Sequence, residues 1–258
     1  MAYKISDKAI LVESGGENIL IAETATFERG GLTLLDSDFT LSPTFVTNYF
    51  RAFQGVTSGY ASGGRDNVPS GNALDTIERY PFRSDTNASD VGELTDPRRS
   101  PAYGCTSSEN HGYTASGRNA PGPTVYNMID KFPFSASTNA TDVGDLTQAG
   151  HSASTSVSQT HGYAAGRRLS PSSVSNVIDK FSFATDGNAT DVGDLLSTSN
   201  AHGAGISSLG HGYVAGGQLA PTTAFKDVIQ KYPFSSDANS TDVGDLLAGN
   251  RNACGNQG

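Results

Sequence analysis

Residues that would indicate a metal site, a disulfide framework or a membrane segment are rare in this sequence. Tryptophan is absent, and the two cysteines, Cys105 and Cys254, lie far apart with no Cys-x-x-Cys spacing. Neither a disulfide framework nor a zinc site is therefore expected. No segment approaches the roughly 20 apolar residues of a membrane-spanning helix, and the first residues lack the apolar run of a secretion signal. We expect a protein without a membrane span that is made in a cytoplasm.

Positive charge is also scarce. The chain has 17 Lys and Arg against 26 Asp and Glu, a net charge of −9 at pH 7. Phosphate binding needs clustered Lys and Arg, and none cluster in the sequence, so no nucleic-acid partner is expected. The phosphate loop, the Gly-x-Ser-x-Gly elbow and the His-Glu-x-x-His motif are missing as well. The sequence therefore predicts no catalytic residue, no metal and no cofactor.

Glycine and small polar residues are abundant instead. The chain contains 30 glycines among many Ser, Thr and Asn, and only 17% of its residues are charged. This composition is typical of many short strands joined by tight turns. With 36% hydrophobic residues, the chain can bury a core, which favours a folded protein over a disordered one. The expected fold class is all-β.

Three sequence blocks recur four times in the same order. A Gly-Tyr pair is followed by an apolar, charged and aromatic block, and then by Asp-Val-Gly-Asp/Glu-Leu. The Gly-Tyr pairs begin at Gly59, Gly112, Gly162 and Gly212, the second blocks at Ile77, Ile129, Ile178 and Ile229, and the third blocks at Asp90, Asp142, Asp191 and Asp242. Repeats of about 50 residues are typical of solenoids and propellers.

One copy can be divided into strands by its pattern. In the third copy, residues 162–166 form a short strand ending in glycine, and residues 176–183 alternate in polarity as a half-buried strand does. Residues 190–196 and 203–209 supply two more strands. Four strands in about 50 residues, repeated four times, predict the blades of a β-propeller.

The copies resemble kelch repeats, in which a glycine doublet closes one strand and an aromatic follows on the next. The resemblance is carried by Gly63-Gly64, Gly216-Gly217, the degenerate Ser116-Gly117 and Gly166-Arg167, and the segments Leu94 to Arg99 and Leu246 to Arg251. It departs from the family on the outer strand, where Asp-Val-Gly-Asp-Leu replaces the usual tryptophan. The resemblance implies a kelch-like β-propeller with blades at about 51–98, 99–149, 150–199 and 200–250 and the start of another at 251–258. Kelch-like propellers usually need five to seven blades, so we expect a longer chain or a neighbouring chain to complete it.

Residues 1–50 lack the repeat and are expected to form a small β module of three or four strands. The opening, with Lys4-Ile5-Ser6, Ile10-Leu11-Val12 and residues 18–22, resembles the leader of tailed-phage tail-fibre and virion structural proteins; an ordinary β-hairpin is the alternative. The repeats resemble those of marine (cyano)phage virion proteins. These resemblances imply a non-enzymatic virion protein (a tail fibre, capsid fibre or decoration protein) that is anchored to other virion proteins by residues 1–50. A glycan-binding kelch module and a galactose-oxidase-like enzyme are the alternatives.

Candidate binding residues lie on the loops that vary most between copies. These loops run over residues 65–73, 118–126, 167–175 and 218–226, and variable loops on a constant scaffold usually carry recognition. A host-surface glycan or receptor is the expected ligand, and a homo-oligomer is the expected assembly. The predicted contact residues are Arg65, Arg118, Tyr126, Arg167, Arg168 and Lys226.

Other repeated polar residues have two interpretations each. His111, His161 and His211 either converge on a metal or make local hydrogen bonds. The Asp-x-Asn pairs, such as Asp186 with Asn188, either form calcium loops or cap turns through their side chains. The Asn-x-Ser/Thr triplets, one per copy, either accept glycans or belong to the same turns.

Overall fold

In a computed structural model, the chain divides into two compact units, Met1–Gln54 and Gly55–Gly258. The structure describes strands between residues 4 and 34, and then residues 57–67, 71–99, 106–170, 173–196, 202–218, 224–253 and 255. The predictions about Cys105 and Cys254 lie outside these residues.

The first unit contains the short strands predicted for the N-terminal module. A two-stranded antiparallel sheet pairs β2 with β3, and a three-stranded antiparallel sheet has the order β1-β4-β5. The strands are β1 (Lys4–Ile5), β2 (Ile10–Ser14), β3 (Glu17–Ile21), β4 (Phe27–Arg29) and β5 (Leu32–Leu34).

The second unit is built from four antiparallel sheets, and the described residues contain no helix, so the all-β prediction is confirmed. Within each sheet, neighbouring strands are consecutive along the chain. Sheet I contains β6 (Ser58–Arg65), β7 (Ala73–Pro81) and β8 (Ser89–Glu93), and sheet II contains β9 (Thr106–Ser107), β10 (His111–Arg118), β11 (Val125–Pro133) and β12 (Thr141–Gly150). Sheet III contains β13 (Ser154–Val157), β14 (His161–Ser170), β15 (Ser173–Ser182) and β16 (Thr190–Asp194), and sheet IV contains β17 (Ala204–Ser207), β18 (His211–Ala215), β19 (Lys226–Pro233) and β20 (Thr241–Asn250).

The predicted strands are present, but one of them belongs to a different sheet. The strand expected at 203–209 appears as β17 and pairs with β18 of sheet IV, so it begins the next sheet instead of completing sheet III. Sheet III takes its fourth strand from β13, which precedes His161. Among the described strands none joins sheet IV to sheet I. The closure of the sheets into a propeller therefore stays a prediction.

The two residues of the Gly-Tyr pair make different contacts on opposite faces of the strand. Gly162 lies opposite Phe181 in the β14–β15 register, and a Cβ on Gly162 would come within 2.3 Å of the Phe181 ring. The ring therefore needs a glycine beneath it. Tyr163 points the other way and stacks on Phe234 of sheet IV at 4.7 Å between ring centroids. One dipeptide thus packs both its own sheet and the next one.

The hydrophobic cores lie between consecutive sheets. Between sheets II and III, for example, Tyr113, Ile129 and Leu146 pack against Ala164 and Phe181. Equivalent apolar clusters join sheet I to sheet II and sheet III to sheet IV. Burial of apolar side chains on both sides of a shared core is the main force that holds such sheets together.

Polar side chains of each turn also bind the preceding sheet. Asn188 Oδ1 accepts a hydrogen bond of 3.0 Å from the backbone N–H of Asp145, and Asp186 lies 2.7 Å from Lys131 Nζ. The same pattern recurs one sheet later with Asn239 and Asp237. The turn interpretation of the Asp-x-Asn and Asn-x-Ser/Thr segments accounts for these residues.

The glycine of the Asp-Val-Gly-Asp-Leu block recurs because the turn of the next sheet approaches its backbone. Gly144 has φ +153°, and a Cβ there would lie 2.3 Å from the carbonyl oxygen of Gly187 in the next sheet. Gly92 and Gly193 meet the next turn in the same way. The block therefore tolerates only glycine where the following turn approaches its backbone.

Candidate functional site

Two arginines are completely buried between the sheets. Arg98 forms an ion pair with Asp130, and Arg167 Nη2 lies 2.5 Å from Asp179 Oδ2, with all four side chains at 0% exposure. Each carboxylate also accepts hydrogen bonds from a threonine at the end of the preceding sheet; Thr147, for example, donates its Oγ1 to Asp179 at 2.7 Å. These pairs neutralise charge inside the core.

The prediction for Arg167 is corrected by this burial. Arg167 was expected to contact a ligand from a variable loop, but its guanidinium is bonded to Asp179 and to the carbonyl oxygens of Gln148 and Ala164. The Arg167 side chain fits inside the core because Gly150 has no side chain. A Cβ on Gly150 would lie 2.9 Å from Arg167 Cγ. Arg167 therefore stabilises the fold.

Basic residues come together near the end of the second strand in sheets II and III. Two pairs of mutual backbone hydrogen bonds bring residues together there: Arg99 with Arg118 at 2.9 and 3.0 Å, and His151 with Arg168 at 3.0 and 2.8 Å. Each pair joins a residue that enters a sheet to a residue of the second strand of that sheet: Arg118 is the last residue of β10, and Arg168 lies near the end of β14. The loop predicted at 118–126 begins here, but the loop predicted at 167–175 is largely strand, because β14 continues to Ser170 and β15 begins at Ser173.

A third backbone connection adds sheet IV to this group. The N–H of His202 donates to the carbonyl of Ser152 at 3.0 Å, and the N–H of Asn252 donates to the carbonyl of His202 at 2.9 Å. The ring centroids of His151 and His202 lie 6.2 Å apart. Arg251 immediately precedes Asn252 in the chain. We refer to Arg99, Arg118, His151, Arg168, His202 and Arg251 as the arginine–histidine cluster.

The histidines of the cluster are held neutral by their surroundings. Burial, followed by the charges of Arg118, His202, Arg168 and Arg99, lowers the pKa of His151 from 6.5 to about 3. Burial, with Arg168, Arg251 and Arg118, lowers the pKa of His202 to about 4, although a hydrogen bond with Asn252 opposes this. No carboxylate of the described residues is among these causes. At neutral pH the cluster therefore carries the charge of its four arginines and two neutral imidazoles.

One donor of the cluster is buried without a partner. The Nε–H of Arg99 is inaccessible to solvent and has no hydrogen-bond partner among the described residues. Buried donors are normally satisfied, so such a group calls for an acceptor. Guanidinium groups match the paired oxygens of carboxylate, sulfate and phosphate groups. The cluster is chemically suited to hold an anion.

The predicted contact residues are divided by the structure. Arg118 and Arg168 belong to the arginine–histidine cluster, whereas Arg65, Tyr126 and Lys226 lie outside it. Arg65 is exposed at the end of β6, and the Tyr126 ring lies 5.9 Å from the guanidinium carbon of Arg98. Lys226 donates its backbone N–H to Gly217 at 2.9 Å within sheet IV.

Four cluster residues were missed by the sequence reading. Arg99, His151, His202 and Arg251 each follow the leucine of an Asp-Val-Gly-Asp/Glu-Leu block by a few positions. That regular placement was the available signal. The arginine segments Leu94 to Arg99 and Leu246 to Arg251 match one another, but the other two copies have histidine in place of this arginine, so the four positions do not stand out as one set.

The repeated histidines of the His-Gly-Tyr blocks make local contacts. The backbone N–H of His161 donates to Ser158 Oγ at 3.0 Å, and His111 and His211 bond Ser108 and Ser208 in the same way. These bonds support the local interpretation. In the part of the chain that the structure describes, no three His, Cys, Asp or Glu side chains are grouped as metal ligands.

No protein-family model matches the sequence, and no curated protein matches it. A solved structure titled "Structure of YjhT" is similar with a TM-score of 0.59, covering 78% of this chain and 69% of that chain at 11% identity. At that identity the similarity concerns the fold alone. No helix in the described ranges is long and apolar enough to cross a membrane.

Proposed function

We propose that this protein is a non-enzymatic binding protein of a phage particle that recognises an acidic host-surface glycan at the arginine–histidine cluster. In this proposal the four sheets belong to a kelch-like β-propeller that displays the cluster, and residues 1–50 attach the protein to the particle. The observation that carries the binding role is the convergence of six basic residues from successive sheets in a chain with net charge −9.

Charge distribution supports an acidic ligand. Arg98 and Arg167, which lie outside the cluster, are neutralised inside the core by Asp130 and Asp179, whereas the groups that lower the pKa of His151 are arginines and a second histidine. A positive site on an otherwise acidic surface attracts anions locally and repels them elsewhere. Selective binding of a carboxylated or sulfated sugar needs this combination.

Position supports a large ligand such as a surface polysaccharide. In the cluster, Arg118 begins one of the segments that differ most between copies, and Arg168 lies near the end of β14 within another. Loops on a rigid sheet scaffold can vary without disturbing the core, so specificity is usually built there. The guanidinium groups would hold the acidic group, and the loops would contact the neighbouring sugars.

The test compares an acidic polysaccharide rich in uronic acid with its carboxyl-reduced form by calorimetry. We expect the acidic form to bind and the reduced form not to bind. Arg168→Gln is expected to weaken binding by about 10- to 150-fold, the equivalent of one charge-assisted hydrogen bond of about 1.5–3 kcal/mol. Lys226→Gln, outside the cluster, is the matched control. Equal binding of both polysaccharides, or equal effects of the two variants, would refute the assignment.

The particle role has a separate test. Quantitative peptide mass spectrometry of purified particles should find this chain in fixed proportion to a capsid or tail protein, and deletion of residues 1–50 should remove it from particles. Absence from particles would remove the virion role but leave the binding site to be judged by calorimetry.

A further inference from the structure

The contacts between consecutive sheets have a fixed direction. Each sheet presents a leading face with the tyrosine of Gly-Tyr, the basic residue of the second block (Arg79 on sheet I, lysine on the others) and the valine and glycine of the third. The next sheet receives it on a trailing face with an aromatic pair and a turn that contains Asn and, except in sheet II, Asp. Between sheets III and IV, Tyr163 meets Phe234, Lys180 meets Asp237 and Gly193 meets Ala238.

The leading face of sheet IV is uncovered. Val243 is 45% exposed, whereas its counterpart Val91 on sheet I is 9% exposed. Leu246 is half-buried where the other three copies bury leucine almost completely. A Cβ on Gly244 would meet nothing within 4 Å, although the equivalent glycines of sheets I to III are crowded by the next turn.

The trailing face of sheet I is uncovered as well. Tyr80 and Phe82 are 44% and 52% exposed, while Phe132, which corresponds to Tyr80 in sheet II, is 4% exposed. The two rings keep the arrangement of the buried pairs, with centroids 5.9 Å apart and nearly perpendicular planes. Among the described residues, sheet I therefore presents a formed aromatic pair on which no tyrosine of a preceding sheet is stacked.

The two uncovered faces carry matching halves of the same contact. By position in the repeat, Tyr213 corresponds to Tyr163 and would stack on Tyr80 and Phe82. Lys231 corresponds to Lys180 and would face Asp85. Further, Gly244 would receive the carbonyl of Thr86, and Asn87 would accept the N–H of Asp245, as Asn239 accepts that of Asp194 at 2.9 Å.

We propose that the leading face of sheet IV binds the trailing face of sheet I on a second copy of this chain. The occupant is a second copy because both faces are exposed within one chain and each is complementary to the other, so docking continues an interface that the fold already uses three times. Such a contact is heterologous, and it produces a ring if the rotation closes and a longer array if it does not. This assembly is independent of the proposed anion binding.

Zero-length crosslinking tests the contact directly. A carbodiimide joins an amine to a carboxylate in contact, so the internal pairs Lys131–Asp186 and Lys180–Asp237 serve as positive controls. A mixture of ¹⁴N- and ¹⁵N-labelled full-length protein should give a Lys231–Asp85 crosslink with mixed isotopes. A crosslink found only within one isotope, which means closure of the chain on itself, or no crosslink beside strong controls, would overturn the proposal.

Two charged variants test the assembly by native mass. Val243→Asp and Phe82→Asp each place a charge on one exposed face, so both should fold and both should be monomeric where the natural protein is a multimer. Mixed together, they should associate, because each retains the face that the other lacks. Leu209→Asp, at a residue 64% exposed on neither face, should leave the mass unchanged. A monomeric natural protein, or variants that keep the multimer, would refute the inference, and neither outcome bears on anion binding.

Discussion

At the scale of single residues, the buried arginines show how a repeat keeps an interaction while changing its source. Between sheets I and II the guanidinium comes from Arg98, and Gly117 leaves the space beside it. Between sheets II and III it comes from Arg167, and Gly150 leaves the space. In both places an arginine and a glycine occupy facing positions, in opposite order. The acid that pairs with the guanidinium, Asp130 or Asp179, occupies the same register position in both sheets.

The Arg167–Asp179 pair yields a stability prediction. Arg167→Ala would leave the Asp179 carboxylate buried without an opposite charge, which costs about 3–5 kcal/mol. We expect urea titration to show a loss of unfolding free energy of that order. Lys180→Ala removes an ion pair whose acid, Asp237, is 60% exposed, and it should cost about 0–1 kcal/mol. Similar losses in the two variants would contradict the structural role of Arg167.

The cluster histidines yield a pH prediction. Because the pKa of His151 falls from 6.5 to about 3 on folding, the unfolded state binds more protons between these values. The contribution of neutral His151 to the free energy of unfolding is therefore fully present above pH 6.5 and is lost as the pH falls toward 3. His151→Gln should flatten the pH dependence of the unfolding free energy in that window. His161→Gln, at a partly exposed histidine, is the control, and an unchanged profile in His151→Gln would count against the buried neutral state.

At the scale of strands, the glycine–aromatic pair fixes how two strands meet. Gly112, Gly162 and Gly212 all lie under an aromatic ring of the neighbouring strand in the same sheet. That ring in turn takes part in the core with the preceding sheet. The pair therefore couples pairing within a sheet to packing between sheets, which explains why the first and second blocks always occur together.

Replacement of one such glycine tests this coupling. Gly162→Ala would place a Cβ within 2.3 Å of the Phe181 ring, and overpacking of this kind costs about 1–3 kcal/mol. Gly210→Ala is the matched control, because a Cβ there meets nothing within 4 Å. Urea unfolding should separate the two variants clearly. A Gly162→Ala protein as stable as the control would show that the ring can move aside.

At the scale of the whole molecule, the stacking of sheets determines both what is gathered and what is left uncovered. The residues that enter successive sheets are brought together in sequence, Arg99 near His151 and His151 near His202. The same stacking, applied from sheet I to sheet IV, leaves one aromatic trailing face and one apolar leading face exposed, with no neighbour among the described sheets. The proposed anion binding and the proposed head-to-tail association would both follow from this repeated geometry, although they use different residues.

The sequence alone determined the repeat, the all-β class and most strands, because these depend on local alternation and on turn residues within each copy. It also indicated Arg118, the last residue of β10, and Arg168, which lies near the end of β14. Tertiary structure decided the rest. Whether Arg167 reaches solvent depends on the missing side chain at Gly150, and whether His151 and His202 meet depends on the stacking of sheets about 50 residues apart in the chain. Such contacts between distant residues are set by packing between sheets, and no pattern within one copy records them.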